Sequence, residues 1–541
     1  MSFSTRSGKR SARYSALGLV AALALTACGG GNGSDASANN TLVIGIESEP
    51  DILDPQGGGG WVTYRISHQM FDGLVAEDLS KPSSEAAVTE LAPGLATSWD
   101  ISHDGLSYTF HLRQGVKFHD GTEFNAEAVD YNIRRMWDKS APQYNARAAG
   151  NTTFVWQHLS AVDVVDNATI KLTLDQPFSP LLRLMAQGGS GSTGIISPTA
   201  LKQYGDAIAD HPVGTGPFKF EERVRGERVS MVRNDEYWGG APKLDRVVFK
   251  PIPDASARVA SIRSGETDII AVPTPDSISG LQSDGFELVD ATPPHVWFFS
   301  ANMNEEPMKN LKVRQAISYA IDRKSLATDI LKDTALPAYQ VQAPANTGYL
   351  QSSEPEYPYD PEKAKQLLAE AGYPKGFTTT IETSVDGSGQ MIPVPMAEFI
   401  KQNLEKVGIT VNIKTYEWIS YISHFNAGLE PGVGMAQMSW GMSTPYWLSI
   451  ETNSSLIAPN GPNAGYYQNA DLEGVIAQAV AATDEDTANK YWEQANQMAT
   501  ADLPMIPIVN DKSPYILSKR VKNFVLPSEE WYDLTKVELG S

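Results

Sequence analysis

Aromatic and hydroxyl side chains gather in one short stretch, Ala436–Trp447. Trp440, Gly441, Met442, Ser443, Tyr446 and Trp447 place flat apolar faces beside small polar groups, on a segment rich in Gly, Ser and Pro. Trp61, Tyr64, Trp297 and Phe298 add rings of the same kind elsewhere in the chain. Indole faces stack on sugars and on planar or cationic molecules, while hydroxyls and backbone dipoles fix orientation. This is the chemistry of holding a molecule, without bond-breaking. Core packing competes with that role, and for Trp297 and Phe298, inside the apolar run 296–299, both readings stand open. Trp99, Trp137, Trp156 and Trp238 are assigned to packing or surface.

Residues that would break bonds are not arranged to do so. The chain has no G-x-x-x-x-G-K-[ST] phosphate loop, no G-x-S-x-G elbow and no H-E-x-x-H helix. An enzyme is therefore not expected, nor a cofactor. The eight histidines form no spaced metal set, so no metal is expected. His103, His111 and His119 recur every eight residues but fall in a hairpin region, which makes them structural. His295 and His424 stay open, since each has aromatic neighbours.

The single cysteine, Cys28, ends a short apolar segment, Tyr14–Leu25, behind Arg6, Lys9, Arg10 and Arg13. The apolar run is too short for a stop-transfer helix. Small residues, then the cysteine, then a Gly/Ser/Asn-rich tract resemble a bacterial lipoprotein signal. The resemblance implies removal of residues 1–27, a lipid anchor on Cys28 and a flexible tether over 28–40. The expected location is the outer face of the cytoplasmic membrane, at the cell surface or in the periplasm.

At 541 residues several lobes are needed to bury the chain. Without the signal it carries 39 Lys and Arg against 64 Asp and Glu, a balance that argues against nucleic acid. Using Cys28 as an anchor leaves no intrachain disulfide, so stability rests on the core.

Local patterns supply the elements. Thr41–Ile46 reads as an opening strand, and Trp61 and Tyr64 lie on a helix ending near Phe71. The turn His103-Asp104-Gly105 leads into an alternating strand, Tyr108–Arg113, then a turn and Val116–Gly121, a hairpin pattern. Asn125 is an expected N-cap. Pro361 opens a helix closed by Gly372. Met396, Phe399, Ile400, Leu404 and Val407 repeat at helical spacing before Gly408, and Ile409–Ile413 follows as a strand. Strands and helices interleave, giving an α/β class.

The run from Leu91 to Val129 resembles the signature of the family-5 extracellular solute-binding proteins of ABC importers, the dipeptide-, oligopeptide- and nickel-binding group. Further landmarks follow in order: 214–218 (G-T-G-P-F), 233–238 (R-N-D-E-Y-W), 312–323, 359–373 and 503–507 (L-P-M-I-P). The resemblance implies a two-lobed periplasmic-binding-protein-like fold with mixed sheets, a double-crossover hinge and an extra third domain. Lobe I would be 41–73, 205–299 and 511–541; the extra domain 74–204; lobe II 300–510. Hinge strands are expected near 299 and 510.

The implied function is capture of a hydrophilic solute and its delivery to membrane permease subunits, by a monomer. Peptide is the default ligand. In peptide-binding members a tryptophan matching Trp440 is followed three residues later by an aspartate that pairs with the peptide's ammonium. Here Ser443 stands at that place. Some dipeptide binders also hold the ligand carboxylate with a basic residue before the helix at 396, and 376–400 contains no Lys or Arg. Both ends of a dipeptide clamp are thus neutral. Oligosaccharide or a metal chelate are alternative ligands, and a surface hydrolase or non-transport lipoprotein are alternative roles.

Overall fold

The computed structural model describes residues 40–58, 60–82, 89–186, 192–351, 354–385, 392–441, 444–528 and 530–540. The signal, the tether up to residue 39 and Cys28 lie outside the described residues, as do Met442 and Ser443.

Two mixed sheets carry the two lobes. Thr41–Ile46 is a central strand of the first, parallel to Arg246–Pro251 on one side and Ile269–Ala271 on the other. Antiparallel strands complete this seven-stranded sheet, among them Tyr515–Leu517 from the far end of the chain. Leu42 and Ile44 bury one face of the opening strand with Phe218, Phe249 and Tyr515. The second sheet has six strands, in the order Ala335–Pro337, Met505–Asp511, His295–Ala301, Val433–Gly441, Thr378–Ser384, Thr410–Tyr416. Thr378–Ser384 runs parallel to both of its neighbours, and the other pairings are antiparallel.

The chain passes between the sheets twice, over 290–294 and back over 512–514. His295–Ala301 lies wholly in the six-stranded sheet, so the outward crossing comes earlier than the expected 299.

The helix ends follow their sequence signals. Asn125 accepts a hydrogen bond from the Ala128 amide, and Asp360 from the Lys363 amide at the start of Pro361–Glu370. Gly372 after that helix has φ +92°, which only glycine adopts without strain. The hairpin is only partly as expected. The Asp104-Gly105 turn joins Ala96–Ile101 to Ser107–Leu112, but 116–121 adds no strand and makes one isolated bridge, Lys117 to Glu123. The second partner of Ser107–Leu112 is instead Thr169–Leu174, in a four-stranded antiparallel sheet.

The core of this four-stranded region is continuous with one face of the six-stranded sheet. Phe110, Phe178 and Leu184 belong to the same buried cluster as Phe298, Met438, Tyr421, Leu472 and Trp492. The opposite face of the six-stranded sheet packs Trp297, Phe299, Ile381 and Met435 against a separate set of helices. Among the described residues no helix is long and apolar enough to cross a membrane.

Candidate functional site

The rings singled out in the sequence divide into three groups. Trp297 and Phe298 belong to the first: they point to opposite faces of the strand His295–Ala301 and are 1% and 0% exposed. The structure decides the open choice for these two in favour of core packing. Their strand is covered on both sides, so neither ring presents surface to a groove.

The second group sits where the two sheets approach. Trp61 opens the helix Trp61–Ser67, and its indole lies on Gly441. A Cβ at Gly441 would stand 2.3 Å from Trp61 Cζ2, so only glycine admits the ring. The same indole meets His295 edge-on, centroids 5.3 Å apart, and tilts against Trp531 at 4.8 Å. Tyr64, one turn along, donates from its hydroxyl to the Gly58 carbonyl at 3.2 Å and packs edge-on to Trp531. Burial pushes its phenol up to about 12.

Trp440 is half-buried and its Nε1–H donates to Glu451 Oε1 at 2.8 Å. Glu451 lies on the short helix Leu448–Thr452, and the Ser300 hydroxyl donates to its Oε2 at 3.4 Å. Burial pushes the Glu451 carboxyl up to about 8.

Tyr446 and Trp447 form the third group, facing the four-stranded region. Gln157 Nε2 donates to the Tyr446 hydroxyl at 2.6 Å, and Tyr446 meets Phe178 edge-on at 5.5 Å. Trp447 packs on Phe154 at 4.9 Å. Phe154, Gln157 and Phe178 all come from the segment expected as the extra domain, so that segment closes against the six-stranded half here.

Charged groups line the crossing between the sheets. His295 Nδ1 and Asp511 Oδ1 are 2.6 Å apart, both buried, on the two strands that bracket the crossings. Close by, Arg65 grips Glu47 with two hydrogen bonds of 3.0 and 2.8 Å and stands 3.5 Å from Glu530. Burial alone would raise the Glu47 carboxyl, but the Arg65 guanidinium beside it holds it below the usual range. Glu530 is raised by burial, with Arg65 only partly opposing.

The remaining open histidine, His424, is placed away from these groups. Its Nε2 lies 3.2 and 3.0 Å from the two oxygens of Glu382, to which the Tyr416 hydroxyl also donates at 2.7 Å. Ligating atoms of Glu382, His424 and Glu430 come within 4.8 Å of one another. The fold thus assembles a trio that sequence spacing does not announce. Lys414 Nζ, 3.2 Å from Glu382 and 3.6 Å from Glu430, already supplies a positive charge there. His111 pairs with Asp100, and the half-buried His119 bonds the Gly216 carbonyl, its imidazole pushed down to about 4 by loss of solvent.

Sequence reasoning missed Trp531, Glu451, Phe154, Gln157 and Asp511. Only Trp531 carries a local signal, as half of an aromatic pair beside acidic residues. The others acquire meaning through neighbours that are distant in the chain.

The family model for bacterial extracellular solute-binding proteins, family 5 (middle region), matches residues 90–456. The glutathione-binding protein GsiB of Salmonella typhi is 32% identical over 514 residues, 93% of this chain and 95% of its own. The chain belongs to family 5 of the bacterial extracellular solute-binding proteins. A dipeptide-binding protein of Pseudoalteromonas sp. SM9913, solved with Met-Leu, matches this solute-binding protein with a TM-score of 0.80 at 27% identity. That match covers 92% of this chain and all of the other. The Helicobacter pylori periplasmic binding protein DppA, solved with the peptide STSA, matches at 0.77 and 27%, over 93% and 98% of the two chains. As a member of this family, the protein is the substrate-binding component of an ABC importer.

Proposed function

We propose that this solute-binding protein captures a short peptide, of about the size of glutathione, between its two lobes and passes it on unchanged. The observation that carries this reading is the seating of Trp61 on Gly441. It joins one lobe to the other beside Trp440, on the segment that the resemblance assigns to the ligand. Relatives named for glutathione and solved with Met-Leu or STSA support the ligand class. The binding residues are then Trp61, Tyr64, Trp440, Gly441, Met442, Ser443, Tyr446 and Trp447. Ser443 offers no carboxylate to a peptide ammonium, so the ligand is held by ring faces and backbone dipoles.

With the crossings at 290–294 and 512–514, lobe I comprises 41–73, 205–294 and 512–541 in this reading, lobe II 295–511, and 74–204 the extra domain. A lipid on Cys28 tethers a monomer at the outer face of the membrane, and no reaction is catalysed.

The test is mass spectrometry of small molecules carried through native purification, followed by calorimetry with glutathione and with Met-Leu. A bound peptide recovered intact is the expected result, with a stabilisation of about 2.7 kcal/mol at a hundredfold excess over Kd. Trp440→Ala should weaken binding strongly and lower the empty protein's Tm by the smaller cost of leaving the Glu451 carboxyl without its indole donor. Recovery of an oligosaccharide or a metal chelate, with no response to peptides, overturns the peptide assignment.

A further inference from the structure

The carboxyl of Glu451 is 2% exposed, directly behind the aromatic segment. Among the described residues no Lys, Arg or His forms an ion pair with it. Its neighbours are the Trp440 indole and the Ser300 hydroxyl, from two adjacent strands. The titratable group facing it is the Tyr421 phenol, on the helix Trp418–Ala427. Tyr421 donates elsewhere, to the Gln437 carbonyl at 2.6 Å. Burying an unpaired carboxylate is costly, whereas a protonated carboxyl can be satisfied by two polar neighbours. Both oxygens are so satisfied: one accepts from the indole, and the other stands within reach of Ser300.

The bond to the indole has a directional consequence. The Trp440 side chain has one polar atom, and that atom is turned to Glu451, so what the half-buried ring leaves exposed is carbon surface. A carboxyl in its acid form behind the ring also adds no net charge to the wall. We propose that Glu451 is a positioning residue of the ligand site. It fixes Trp440 by the indole N–H and so builds an uncharged stacking wall that selects a neutral portion of the ligand. This inference rests on the peptide-binding reading given above.

The role can be read with or without a ligand. In protein labelled with 15N-tryptophan, the Trp440 indole N–H, assigned by Trp440→Phe, should be protected from exchange in the empty protein. Its resonance should titrate with a midpoint near pH 8, following Glu451. Glu451→Gln, which keeps an acceptor and a donor, should retain the protection, abolish the titration and bind glutathione within about twofold of the unsubstituted protein. Glu451→Leu should lose the protection and weaken binding more than tenfold. Far-UV circular dichroism and Tm check that it folds; if it does not, Glu451→Gln with its pH series decides alone.

An indole signal indifferent to Glu451→Leu, or a titration that persists in Glu451→Gln, overturns the proposal. So does an affinity that rises with pH in the unsubstituted protein and falls in Glu451→Gln, which would make Glu451 a charge partner for a cation. Absence of glutathione and Met-Leu binding by the unsubstituted protein overturns the peptide reading instead, while the indole signal still decides whether Glu451 fixes Trp440.

Discussion

Glu382 and Glu451 are both withdrawn from solvent in the same lobe, yet the chain treats them in opposite ways. Glu382, on the strand Thr378–Ser384, is met by the Lys414 ammonium, the Tyr416 hydroxyl and the His424 imidazole. Glu451 is met by an indole and a hydroxyl. A buried carboxylate needs either a cation or a proton, and the two glutamates take one each. The difference follows from position. Glu382 lies beside an edge strand, Thr410–Tyr416, whose side chains reach water, so Lys414 can approach with its stem solvated. Glu451 sits behind the aromatic segment, where a lysine or arginine would have to be buried as well. Arg65, at the crossing between the sheets, shows how far that solution can be taken, with one buried guanidinium serving Glu47 and standing close to Glu530.

The largest effect should come from removing a cation where no water can replace it. Arg65→Met takes the buried guanidinium from Glu47 and Glu530, and breaking such a pair costs about 3–5 kcal/mol, to be read as a lowered urea midpoint. Next comes the proton on Glu451. Its folded pKa lies above the unfolded value, so between about 4.5 and 8 the folded state holds a proton that the unfolded state has released. Stability from this group is therefore fully present below the unfolded pKa and falls as the pH rises through that window. The slope is about 1.4 kcal/mol per pH unit, and Glu451→Gln should flatten it in urea titrations run from pH 5 to 8. An unchanged slope would mean that Glu451 is charged in the folded state and would erase the contrast. The smallest effect is expected for Lys414→Met. Its ammonium is half exposed and Tyr416 and His424 remain, so about 1 kcal/mol or less should be lost, with salt weakening the difference.

Much of the framework was legible locally. Thr41–Ile46 was readable because β-branched residues crowd a strand buried in a sheet. The helix Pro361–Glu370 was readable from Asp360, Pro361 and Gly372, which act within a few residues of one another. The segment 116–121 misled because an Asp-Gly turn marks a reversal without naming the strand that pairs across it. The site was less legible, for a related reason. Trp297 and Phe298 lie in a strand covered on both faces, where an unbroken apolar run erases the alternation that separates core from surface. Glu451 depends on Ser300 and Trp440, and Trp447 on Phe154. Ser300 and Phe154 stand far outside any local window around Glu451 and Trp447.

The aromatic seam between Phe154, Phe178, Tyr446 and Trp447 bears on how the molecule rests when empty. A movement that parted the four-stranded region from the six-stranded half would wet all four rings, at about 25 cal/mol for each square ångström of apolar surface uncovered. The apolar cost of wetting these rings therefore opposes any parting of the two regions, whether or not a solute is present.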